Sequence, residues 1–485
     1  ILSSLPTAPL QADSPTAAER PIQSRVHYLV GSASCAASNC HGGTSAPDSG
    51  PLYAAHRIWL KEDRHAQAYD VLFDVRSERM IAQLGAGWSA AHREQRCLAC
   101  HSHASSAAEQ HTATFQVADG VSCEACHGPA LAWIRDHSRR DFWERLQPHE
   151  KEALGFRDMG DFTKRAEQCV QCHVGAADRE VNHDMIAAGH PRLAFELAGY
   201  SAMYKKHWRL ENDHRRAGGL PDSGQSDLDA ELWITGQLVA AKQTVQLTQV
   251  RAERAAADKG QGKQPWPEFT EYSCFSCHHE LRAEGGRQYG NFARKLGPPP
   301  PKTNFWDLDP PGSYAWQSWS LANAPEFEGI NPNWRKELIR LRSQIRNPSP
   351  DPESIIKLCK QVNSLDTILR GDMGKLDAVS LLKLLDWATA SEYRYERNWE
   401  AAAQTYLAMC SITAALFDLR GANLAEREPV RARLREIRTL LAFEEGFDSP
   451  SDLDSAKINK LGKAVRAVRQ EFMPEKQPAD SSGSN

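Results

Sequence analysis

No run in the sequence approaches the ~18 apolar residues of a membrane-spanning helix, so nothing in it reads as a transmembrane segment. A dominant charge is also missing. With 58 basic against 62 acidic residues and a formal net charge of −4, there is no basic excess to meet phosphates, which argues against a nucleic-acid binder. The chain does not open on a Lys/Arg-rich segment followed by an apolar stretch, so the expectation is that a signal peptide has been removed or lies outside this sequence. Spare cysteine is scarce. Ten of the twelve cysteines fall into five cysteine–histidine signatures between residues 35 and 278, and only Cys359 and Cys410 remain, which excludes a disulfide scaffold. Those two read as a disulfide or as two buried free thiols.

What is present is a repeat of chemistry. Cys97-Leu-Ala-Cys100-His101, Cys123-Glu-Ala-Cys126-His127, Cys169-Val-Gln-Cys172-His173 and Cys274-Phe-Ser-Cys277-His278 each place two thiols three positions apart with a histidine directly after. Two such thiols can each form a thioether to a haem vinyl group, and the histidine then swings under the iron as proximal ligand. Zinc is the ordinary reading of one CxxC, but zinc does not call for a histidine after every second cysteine. A fifth copy, Cys35-Ala-Ala-Ser-Asn-Cys40-His41, has four residues between its cysteines and must bulge before the second thioether can form. The motifs imply five covalent haem c groups with iron. Because such haems are attached outside the cytoplasm, the expected location is periplasmic or otherwise extracytoplasmic.

The chain divides by composition. Residues 1–30 read as a flexible arm rich in Ala, Ser and Pro, 31–296 as a pentahaem cytochrome c domain, and 297–330 as a Pro/Trp-rich strap. Residues 331–472 carry five or six apolar stripes at helical spacing and read as a helical bundle, and 473–485 as a disordered tail. The fold class is therefore mainly α, with a haem-filled core plus a C-terminal helical bundle. Residues 53–73 read as an amphipathic helix carrying His56 and His65. A long helix opens near Ser226, shows Ile234, Leu238, Ala241 and Val245 on one face, and runs to about Asp258.

Five proximal histidines leave thirteen others as candidates for the second axial position. Most helical histidines are simply solvated, but beside haem motifs the balance shifts. His65 precedes the small Ala66 and ranks above His56. His137 ends a short predicted helix over 130–137. His183 and His190 lie seven apart on one helical face until Pro191 interferes, and both are favoured as ligands, with a propionate contact as the alternative for one of them and for Arg192. His103 and His111 lie in the 21-residue gap between the second and third motifs, a connection short enough to make those two haems neighbours. His279 cannot easily serve the iron of His278.

Crowded irons pass electrons along a chain, so electron transfer is the default function. The alternative is an oxidoreductase acting on a small nitrogen or sulfur compound at one five-coordinate iron. The CxxCK variant used by some nitrite reductases is absent, which lowers that alternative. Partners would be redox proteins, a respiratory complex or a second copy meeting the bundle. Haem propionates would make the assembled protein more acidic and favour basic partners.

Gly120-Val-Ser-Cys123-Glu-Ala-Cys126-His127-Gly-Pro129, the His65-Ala-x-Ala segment and the histidine after the Gly-Pro resemble the tetrahaem cytochrome c of ammonia oxidisers, which accepts electrons from hydroxylamine oxidoreductase. The resemblance covers about residues 31–200. It implies that His137 caps the haem of His41, that His65 caps the haem of His173, and that His183 or His190 caps the haem of His127, leaving the haem of His101 five-coordinate. The widened first motif, the fifth motif, the proline strap and the bundle depart from that pattern. Ala-Gly-His190-Pro-Arg192 and Cys-His278-His279 are similar to larger multihaem cytochromes of environmental bacteria.

Overall fold

A computed structural model describes residues 27–44, 51–103, 110–208, 228–258, 264–272, 330–347, 349–367, 376–389, 399–442 and 455–473. The fifth motif with His279, the body of the strap, most of the arm and the tail lie outside them. The protein is mainly helical, as its periodicity predicts. Its one named sheet among the described residues is a parallel pair, β1 (Tyr28–Leu29) and β2 (Gln110–His111).

The motif-bearing part is built from short helices: α1 (Ala55–Glu62), α2 (Val75–Leu84), α3 (Gln95–His101), α4 (Cys123–His127), α5 (Arg140–Trp143), α6 (Pro148–Ala153), α7 (Phe162–His173), α8 (His183–Ala187) and α9 (Leu197–Met203). The helix read over 53–73 is divided. Asp63 turns extended (φ −102°, ψ 123°) and its side chain caps the His65 N–H, so α1 stops and two single 3-10 turns follow. An Asp side chain that takes a nearby N–H offers the backbone this alternative to helix. The stretch 130–137 is a run of turns rather than a regular helix. The helix expected to carry both His183 and His190 ends early, because Gly189 adopts φ +118° and sends His190 elsewhere.

α10 (Leu228–Asp258) is the axis of the larger core. The predicted stripe of Ile234, Leu238, Ala241 and Val245 is buried, and so are Trp233, Leu232 and Ala252 on other sides. Around it pack α7 and α9 from the motif-bearing part and, from the C-terminal part, α12 and α14. The C-terminal helices are α11 (Pro332–Ile345), α12 (Pro352–Asn363), α13 (Ala378–Thr389), α14 (Trp399–Leu419), α15 (Leu424–Leu441) and α16 (Ser455–Phe472). One hydrophobic cluster joins Phe162, Ala166 and Val170 of α7 to Leu338, Ile355, Leu385, Ile412 and Val465 of these helices. Each fully buried Leu or Ile there contributes about 1.5–3 kcal/mol. α14 is long and apolar enough to cross a membrane by length and composition, but 67% of that stretch is buried inside the protein, as in a core helix. Cys359 on α12 and Cys410 on α14 are free thiols, so the disulfide alternative is not formed.

Candidate haem-binding site

Two imidazole rings that share one iron stand about 6 Å apart, since each nitrogen bonds the metal at about 2 Å and lies about 1 Å from its ring centre. Four proximal histidines meet that distance. His41 faces His137 at 6.1 Å between ring centres, His65 faces His173 at 6.1 Å, His101 faces His190 at 6.4 Å and His127 faces His207 at 6.3 Å. Such separations exceed ring-on-ring contact, yet they recur between partners far apart in sequence. The ring planes lie 20° apart in the first pair and 83°, 85° and 73° apart in the others.

The rings are oriented from behind. Nδ1–H donates to the Leu52 carbonyl from His41 (2.9 Å), to the Ala68 carbonyl from His101 (2.8 Å), to the Ile134 carbonyl from His137 (2.7 Å) and to the Pro191 carbonyl from His190 (2.7 Å). His65 donates instead to the Asp63 carboxylate at 3.0 Å. Acceptors at Nδ1 leave the Nε2 lone pair for a metal. Burial pushes His127 and His173 down to about 4, reinforced by neighbouring histidines, and lowers His101, His137, His190 and His207 as well, so these rings are neutral at pH 7. His65 moves the other way: burial alone would lower it, and the Asp63 hydrogen bond and charge outweigh burial.

The cysteines sit on short helices that place both sulfurs on one side. Cys97 and Cys100 are on α3, Cys123 and Cys126 on α4, and Cys169 and Cys172 at the end of α7. The widened first motif is a turn, in which the His41 N–H reaches the Cys35 carbonyl at 3.3 Å and absorbs the two extra residues. The sulfurs of Cys35 and Cys123 are near neighbours, as are those of Cys100 and Cys172. Cys126 lies within electrostatic reach of Cys169 and Cys172. Burial pushes Cys126 up to about 11 and Cys169 up to about 12. Sulfur proximity thus joins the first motif to the third and the second to the fourth. The gap between His101 and Cys123 contains β2, which returns the chain to β1 beside the first motif.

Two carboxylates brace the motifs. Glu124, between the cysteines of the third motif and 1% exposed, accepts from the N–H groups of Val30 (3.0 Å), Gly31 (2.8 Å) and Ala130 (2.8 Å). It therefore ties α4 to the segments leading to Cys35 and to His137. Gly128 completes that turn at φ +85°, where an added Cβ would lie 2.0 Å from the Gly155 oxygen. Glu94 caps α3 and accepts from Arg96 Nε at 2.6 Å and the Ser89 N–H at 3.1 Å. The Arg96 hydrogen bond first, against some desolvation, brings Glu94 down to about 2. A folded value below the unfolded one adds stability that is whole above about 4.5 and is lost as pH falls through about 2. Unfolding midpoints measured against pH should therefore fall less steeply between 4.5 and 2 in Glu94→Gln than in the native protein.

Other candidates are placed elsewhere. His183 packs edge-on against Phe269 at 5.5 Å and donates its N–H to Glu268, so it stands at none of the four pairs. His103 is buried outside them, His111 stacks on Phe115 and His56 tilts against Trp59. Arg192 pairs with Glu400 of α14 and donates to the Tyr272 carbonyl at 3.3 Å. His190 is not opposite His127. That place is taken by His207, which sequence reasoning missed because Tyr204-Lys-Lys-His207-Trp208 has no local mark beyond the histidine itself.

No curated protein and no solved structure matches the chain. Residues 34–128 match the family model described as cytochrome c554 and c-prime, which supports a c-type cytochrome with covalently bound haem c and haem-based electron transfer.

Proposed function

We propose that the protein is a periplasmic electron carrier with five haem c groups, four of them held between His41 and His137, His65 and His173, His101 and His190, and His127 and His207. The observation that carries this reading is the repeated 6.1–6.4 Å spacing of those four ring pairs. Bound haem supplies one-electron chemistry, and two imidazoles saturate its iron. The chain's part is to present the rings, five of them aimed by Nδ1 bonds, and to hold the motifs close enough for charge to pass. Sulfur contacts support the order first, third, fourth, second. His190 opposite His101 counts against the open iron that an enzyme reading requires.

Cys274 and Cys277 with His278 complete the count of five from the sequence. The turn Phe269–Glu271 that leads toward them is anchored to α10 through the buried Arg251–Glu271 ion pair at 2.8 Å. The C-terminal helices, which hold none of the four pairs, are the proposed surface for a respiratory complex or a second copy, and propionate charge favours basic redox partners.

Electron paramagnetic resonance of the oxidised protein tests the reading. Only low-spin ferric signals are expected, and among the four described pairs one comes from nearly parallel ligand planes and three from strongly crossed ones. A high-spin signal that shifts with nitrite, nitric oxide or sulfite would sink it in favour of the enzyme. Intact mass is expected to give five covalent haems, and four would remove the widened Cys35/Cys40 site or the fifth motif.

A further inference from the structure

One of the axial pairs differs from the others in what stands behind it. Among the oriented rings, four donate Nδ1–H to neutral backbone carbonyls and only His65 donates to a carboxylate. Asp63 is 7% exposed, and no Lys or Arg forms an ion pair with it among the described residues. Its Oδ1 also accepts the His65 backbone N–H at 3.0 Å, and its Oδ2 accepts the Tyr204 hydroxyl at 2.5 Å. Three donors to one carboxylate favour its charged form. The Tyr204 ring lies 6.1 Å from His65 and 6.2 Å from His207, so it touches the surroundings of two neighbouring pairs.

A buried negative charge pulling on Nδ1–H makes the imidazole a stronger donor through Nε2, which stabilises ferric over ferrous iron. We propose that Asp63 is a positioning residue that makes the His65/His173 site the hardest to reduce of the four, with Tyr204 limiting the effect by sharing the carboxylate. This rests on His65 and His173 being paired ligands. In the order supported by the sulfur contacts the site is the third of four, so an electron travelling between the His127/His207 and His101/His190 sites crosses an uphill step. The uphill step splits the wire into a pair of sites on one side and a single site on the other.

The test is a spectroelectrochemical titration of the haem-loaded full chain, with electron paramagnetic resonance on each variant. Asp63→Asn should raise the reduced-to-oxidised ratio of one low-spin haem about tenfold at a fixed potential, which is about 59 mV for one electron, and leave the others in place. Tyr204→Phe should move the same haem the opposite way, because the carboxylate then acts on His65 alone. Asp63→Glu should restore most of the native value. Unmoved potentials in Asp63→Asn with low-spin signals retained, or a shift of the same sign in both Asp63→Asn and Tyr204→Phe, would overturn the proposal while leaving the axial pairing intact. A high-spin signal from native protein would instead overturn the pairing, and this proposal with it. If Asp63→Asn does not load haem, the sign of the Tyr204→Phe shift decides alone.

Discussion

His207→Ala is expected to convert one haem of the oxidised protein from low to high spin and to open one site per chain to cyanide or, when reduced, to carbon monoxide. The reason is geometric: His207 is the ring opposite His127, at 6.3 Å, and no other histidine in the described residues stands at that distance on that side. The Phe156 ring, 6.4 Å from His127, cannot ligate a metal. His190→Ala should open the His101 site by the same reasoning, whereas His183→Ala should leave all four described pairs low-spin. Counting bound carbon monoxide per chain separates these outcomes. An unchanged spectrum in His207→Ala would show that the pairing of His127 is wrong.

Glu124→Ala is expected to cost about 3–5 kcal/mol of stability, because three buried backbone N–H groups lose a charged acceptor together. Chemical denaturation of the haem-loaded protein gives the total. Hydrogen exchange should locate the damage at 28–31 and 130–137, the two segments the carboxylate holds. Since those segments lead to Cys35 and His137, the signal from the nearly parallel His41/His137 pair should broaden or shift while the crossed pairs keep theirs. Glu124→Gln retains one acceptor oxygen and should fall between. A loss under about 1 kcal/mol for the alanine variant would mean that water replaces the clamp.

The proximal half of the candidate site is local chemistry: two thioethers and one iron bond demand Cys, Cys and His within a few residues, so any reader of the chain meets His41, His101, His127 and His173 directly. The distal half is tertiary. Nothing near His207 distinguishes it from His183, and the spacing of His183 and His190 reads as one helix face until Gly189 is seen to end the helix at φ +118°. Asp63 hides for a related reason. On a helical wheel it is a polar residue in an amphipathic stretch, whereas its extended backbone both stops α1 and turns the carboxylate toward His65. Helical content was legible because apolar stripes such as Ile234, Leu238, Ala241 and Val245 mark which face is buried. They do not say against what, and so the union of α7 with the C-terminal helices in one core was not readable.

That union has a consequence for the order of assembly. α7 presents Cys169, Cys172 and His173 at one end, and its apolar side, Phe162, Ala166 and Val170, has no cover until α10 and the helices beyond it have been made. The first and third motifs close early, through β1, β2 and the Glu124 clamp, on chain that is already at hand. The fourth stands on a helix whose apolar side is covered by α10 and the C-terminal helices, all of which follow it in the chain. Helices without a part in any of the four pairs thereby complete the packing of the helix that carries the fourth motif.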